Sequence, residues 1–133
     1  MEFATPGTAQ EIGPAFATLA EHHVEALLVC ADPLFDTQRG LIVALAAKFK
    51  LLAIYQFREY AVAGGLMSYG ISLVEGYRQV GTYAGQVLQG AKPAELPVYE
   101  TVKFEFIVNL KTAKTLGVKL SDNLLSIADE VIE

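Results

Sequence analysis

Three short stretches bring together residue types that could do chemistry: Ala31-Asp32-Pro33, Tyr55-Gln56-Phe57-Arg58 and Ser68-Tyr69-Gly70. The Arg58 guanidinium presents a planar fork that matches a carboxylate through two parallel hydrogen bonds. The Asp32 carboxylate can accept from an ammonium group. Tyr55, Phe57 and Tyr69 offer ring faces as apolar walls. Gln56 and Ser68 add neutral polar groups between them. This set suits a small zwitterionic or aromatic ligand. Each residue also has a plainer role open to it. Asp32 before Pro33 fits a helix N-cap with proline at the first helical position. Arg58 and Glu59 can form a solvated pair worth little. The three rings can simply cover the sheet edge.

Signatures of catalysis are not found. The sequence holds no G-x-S-x-G elbow, P-loop, H-E-x-x-H or G-x-G-x-x-G. Its two histidines, His22 and His23, are adjacent and far along the chain from any nucleophile. A phosphoacceptor role for Asp32 would want an acidic cluster for a divalent cation beside it, and none stands near that strand end. An enzyme is therefore not expected, nor is a metal or another cofactor.

The chain of 133 residues is long enough for one domain with a real core. With 53% hydrophobic and 19% charged residues, the composition is that of a folded protein. A net charge of −5 without a basic cluster argues against a nucleic-acid partner. No apolar run reaches the length of a membrane span. The opening MEFATPGTAQ does not read as a signal peptide. The one cysteine, Cys30, excludes an intrachain disulfide and sits in the apolar run ALLVC, so a buried thiol is expected.

The elements that must position these residues follow from periodicity and caps. Thr8 to Glu11 reads as a capping box before a helix over about 9–22, with Pro14 as an awkward member. Residues 26–30 read as a strand buried on both faces. A helix from Asp32 to about position 50 follows, then strands over 51–55 and 65–69 with residues 56–64 as a turn. Ser72 caps a helix whose stripe is Leu73, Tyr77, Val80, Ala84 and Val87 and which stops at Gly90. Residues 91–97 form a linker. A strand over 103–108 leads to a helix capped by Asn109 and ended by Gly117, and to a last one capped by Ser121. Alternating strands and helices predict an α/β domain with a mostly parallel sheet and right-handed crossovers. Ligands of such sheets bind outside the carboxyl ends of the strands, where all three stretches lie.

Long ordered segments carry a resemblance. The run "ALLVCADPLFDTQRGLIVALAAKFKLLAIYQFREYAVAGGLMSYG" is similar to the second lobe of ABC-transporter substrate-binding proteins of the tryptophan/tyrosine type. "EGYRQVGTYAGQVLQGAKPAELPV" resembles the helix and linker that follow, with Tyr77, Gly81, Gly85, Leu88, Gly90, Pro93, Leu96 and Pro97 in the family's places. "KFEFIVNLKTAKTLGVKL" and "LLSIADEVI" resemble its C-terminal end. The resemblance implies one Rossmann-like, three-layer lobe of a type I periplasmic binding protein, at half the family's length. It implies a solute such as an aromatic or other amino acid in an interlobe cleft, an ABC permease as partner and an extracytoplasmic location. The implied ligand wall is Asp32, Tyr55, Gln56, Phe57, Arg58, Ser68 and Tyr69. The helix and linker over 72–97 would pack on an N-terminal lobe. Alone, the chain is then expected to form a homodimer through the helix over 72–89. A stand-alone sensory or regulatory module that binds a metabolite or a protein stays open beside this reading.

Overall fold

The computed structural model describes residues 1–98 and 104–133. In chain order the elements are α1 (Ala9–Glu21), β1 (Ala26–Val29), α2 (Pro33–Thr37), α3 (Arg39–Lys48), β2 (Leu52–Tyr55), α4 (Arg58–Val62), β3 (Met67–Ile71) and α5 (Leu73–Leu88). A 3-10 turn at Pro93–Glu95 follows, then β4 (Phe104–Asn109), α6 (Leu110–Leu116), α7 (Asp122–Ser126) and β5 (Glu130–Ile132). Position 103 of the expected fourth strand lies outside the described residues.

Four of the five N-caps read from the sequence are in place. Asp32 Oδ1 accepts from Leu34 N–H at 2.7 Å, Ser72 Oγ from Glu75 N–H at 3.4 Å, Asn109 Oδ1 from Thr112 N–H at 3.0 Å and Ser121 Oγ from Leu124 N–H at 3.2 Å. Each satisfies an N–H group that the helix leaves without a partner. Thr8 makes no side-chain cap; Glu11 instead accepts from Gly7 N–H. Pro14 is tolerated inside α1.

One expected helix splits and two elements are added. The helix expected from Asp32 to about 50 breaks at Gln38 into α2 and α3. The expected turn over 56–64 contains α4, which buries Tyr60 and Ala61 completely. The Gly64-Gly65 pair makes that possible. Gly64 takes a φ of 106°, open to glycine at little cost. Gly65 passes so close to Tyr55 and the Tyr60 carbonyl that a Cβ would lie 2.6 Å from the Tyr55 ring. At the C-terminus, β5 forms a strand after the last expected helix, which the expected order of elements lacks.

The five strands run in the order β1-β2-β3-β4-β5. Three of the four pairings are parallel and β3–β4 is antiparallel, so the α/β, mostly parallel expectation holds. Strands in chain order take helices onto one face when their crossovers share one hand. Ile12 and Phe16 of α1, Ile42, Val43 and Ala46 of α3 and Tyr60 of α4 accordingly form one cluster with Val29, Ala53 and Tyr55 of the sheet. Burying each large side chain of that cluster contributes about 1.5–3 kcal/mol. The expectation that 26–30 is covered on both faces is corrected. β1 is the edge strand, Leu28 is 67% exposed and Cys30 is exposed as well.

Candidate functional site

β1, β2 and β3 point the same way, so their carboxyl ends lie on one edge of the sheet. The seven residues expected there separate into three groups. Asp32, Gln56, Phe57 and Arg58 occupy the edge itself. Tyr55 and Ser68 stand beside each other in register, but each is only 1% exposed and points into the covered face. Tyr69 is 56% exposed on the opposite face, stacked on Phe104 with ring centres 5.5 Å apart and edge-on to Phe106 at 6.4 Å.

At the edge, Asp32 caps α2, and this aims the first turn of that helix at the loop after β2. Asp36 in that turn accepts from Gln56 Nε2 and from the Tyr60 hydroxyl, both at 3.0 Å. Tyr60 stacks on Tyr55 at 4.7 Å, with the Arg39 guanidinium 5.8 Å from the Tyr60 ring centre. Burial, and then the bond to Asp36, hold the Tyr60 hydroxyl far above the ordinary tyrosine range. Burial alone pushes Tyr55 up to about 12. Both phenols stay neutral donors in ordinary buffer. Among the described residues, two buried side-chain polar atoms have no hydrogen-bond partner, Gln56 Oε1 and Ser68 Oγ. A buried polar atom left alone costs about 1–3 kcal/mol.

Gly70 holds the edge together. A Cβ there would sit 1.9 Å from the Gln56 carbonyl oxygen, so the end of β3 rests directly on the backbone that follows β2.

Arg58 is engaged within the protein. Its two terminal nitrogens donate to the two carboxylate oxygens of Glu130, Nη2 to Oε1 at 2.9 Å. The bonds hold Glu130 below, and Arg58 above, its ordinary range; Glu105 and Glu59 add to the field on Arg58. The fork that the sequence suggests for a solute carboxylate is therefore filled from β5, 72 residues away. Asp36 and Tyr60 also went unnoticed in the sequence as a pair. Asp36 could have been suspected from its place in the first turn after a loop cap. Glu130 carried no signal of that kind.

Residues 7–132 match the family model described as ABC transporter substrate binding protein. Among curated proteins none matches the sequence. A conserved domain protein from Vibrio cholerae O1 biovar El Tor shares the fold at 20% identity and a TM-score of 0.86, over 96% of this chain and 43% of that one. The ABC domain from Streptococcus pneumoniae in complex with L-Trp has 26% identity and a TM-score of 0.85, over 96% and 44%. A ligand-free, open substrate-binding protein with adhesive properties from Clostridium difficile has 22% identity and a TM-score of 0.62, over 94% and 41%. The chain thus spans less than half of the solved structures it matches, the share of one lobe. The family match along residues 7–132, nearly the whole chain, places it in the ABC transporter substrate-binding protein family.

Proposed function

We propose that this chain is the C-terminal lobe of a solute-binding component of an ABC importer, with the carboxyl edge of its sheet as one wall of an interlobe cleft. One observation carries the reading. A domain that holds L-Trp superposes on 96% of this chain, and this chain accounts for 44% of that domain. An aromatic or other amino acid is the proposed solute. Asp32, Gln56, Phe57, Arg58 and Tyr69 are the proposed wall, with Tyr55 and Ser68 behind it as support. The mechanism is closure of two lobes around the solute and docking to a permease, with no bond made or broken. An extracytoplasmic location goes with that role; among the described residues no helix is long and apolar enough to cross a membrane.

Half a cleft forgoes the contacts of the other half, so affinity for the isolated chain is weak. A thermal-shift series with single amino acids and small carboxylic acids at millimolar concentration tests the reading. A rise in melting temperature confined to one or a few amino acids is expected. No rise with any of them overturns solute binding by this chain.

A further inference from the structure

We propose that Glu130 decides what this wall can recognise: it fills the Arg58 fork as an internal carboxylate, so the wall turns away solute carboxylates and accepts neutral or positively charged groups. The inference rests on the solute-binding reading and names which end of the solute meets this lobe.

Three observations carry it. First, the end-on pair of N–H groups is occupied. A guanidinium binds a carboxylate best through two parallel N–H groups, and both terminal nitrogens of Arg58 already serve Glu130. Second, Glu130 is held in place by the sheet. Asp129 N–H donates to the Phe106 carbonyl at 2.8 Å, and Phe106 N–H donates back to the Asp129 carboxylate at 2.8 Å. The next residue, Glu130, pairs in register with Ile107. A carboxylate fixed in this way loses little freedom on binding Arg58, whereas one arriving from solution loses its translation and rotation. Third, the charge around Arg58 is in surplus. Glu130, Glu105 and Glu59 set three carboxylates against one guanidinium. An incoming anion meets repulsion there, and an ammonium meets attraction.

The Arg58 side-chain N–H signals in NMR report on the fork directly. The protein is titrated with sodium acetate, with sodium chloride at equal ionic strength as the reference. In the wild type, acetate is expected to move these signals no more than chloride does. In Glu130→Gln, acetate is expected to give a saturable shift of these signals that chloride at equal ionic strength does not. Glu130→Ala repeats the measurement should the Gln variant fail to fold. Saturable acetate binding to wild-type Arg58 overturns the proposal, and so does its absence from both variants. A second arm compares tryptophan with tryptamine and with indole-3-propionate in the thermal-shift assay. Loss of the ammonium is expected to cost more than loss of the carboxylate; the reverse order overturns the proposal. If no solute shifts the melting temperature while acetate behaves as stated, solute binding fails and the selectivity of the wall stands.

Discussion

Tyr60 shows what one side chain does for this edge. Its ring fills the space over Tyr55 while its hydroxyl reaches Asp36, so core packing and the polar edge meet in one residue. Tyr60→Phe keeps the ring and removes the bond, and is expected to cost about 1.5–3 kcal/mol by urea unfolding, as for other bonds to a charged acceptor. Folding favours the neutral phenol, whose pKa rises above the ordinary tyrosine value of 10.0. Its stabilisation is therefore complete below pH 10 and is lost as pH climbs toward the higher folded value. Tyrosinate absorbance and circular dichroism should then change together in alkali. Separate transitions would count against a buried Tyr60. Glu130 has the opposite sign. Its pKa is lowered from 4.5, so the pair with Arg58 contributes above that pH and fades as pH falls through the lower folded value. Both side chains are about 40% exposed, so the stability gap between wild type and Glu130→Gln should be under about 1 kcal/mol at neutral pH and vanish in acid. Cys30, expected inside from its apolar neighbours, is exposed because β1 is an edge strand. A thiol reagent should titrate it in the native protein without denaturant.

The elements that were legible are those built from local signals. Asp32, Ser72, Asn109 and Ser121 cap their helices through bonds that reach two or three residues along the chain, a range a sequence displays in full. α4 and β5 are short and have no periodicity of their own. α4 exists because Tyr60 and Ala61 find a buried place over the sheet and Gly64-Gly65 lets the chain turn back. β5 exists because β4 offers it a partner and Asp129 pins its start. The contact between Gly70 and the Gln56 carbonyl belongs to this scale as well. Gly70→Ala must push the end of β3 off the backbone after β2, and a cost of about 2–3 kcal/mol is expected from denaturant unfolding. A variant as stable as the wild type would show that the two segments do not touch.

For the whole molecule, surface area carries the argument. A folded monomer of 14.4 kDa exposes about 6,800 Å² by the usual scaling, and this chain exposes 8828 Å². The excess of about 2,000 Å² is the size of a stable protein–protein interface. Much of it belongs to α5, which buries none of its residues and exposes Val74, Tyr77, Val80 and Leu88. The sheet face with Leu28, Tyr69 and Phe104 adds more. Apolar surface of this extent seeks a partner, and in a solution of the chain alone the partner at hand is a second copy. Light scattering at tens of micromolar is expected to give the mass of a dimer, and Val80→Glu that of a monomer. A clean wild-type monomer overturns the expectation.

By itself the sequence determined what short-range physics encodes: four of the five strands, the longer helices, four of the caps, the mostly parallel sheet and the edge on which the chemistry-bearing loops gather. The tertiary structure alone decided which of those residues face outward and what they touch. Tyr55 and Ser68 share a stretch with exposed neighbours and are buried, because the pleat sends alternate residues to opposite faces and theirs is turned toward the core. Arg58 meets Glu130 across 72 residues because β4 brings β5 to that end of the sheet. An ion pair of this kind leaves no periodic trace in a sequence. It comes into being when register sets two strands side by side, and here that register turns an open guanidinium into an occupied one.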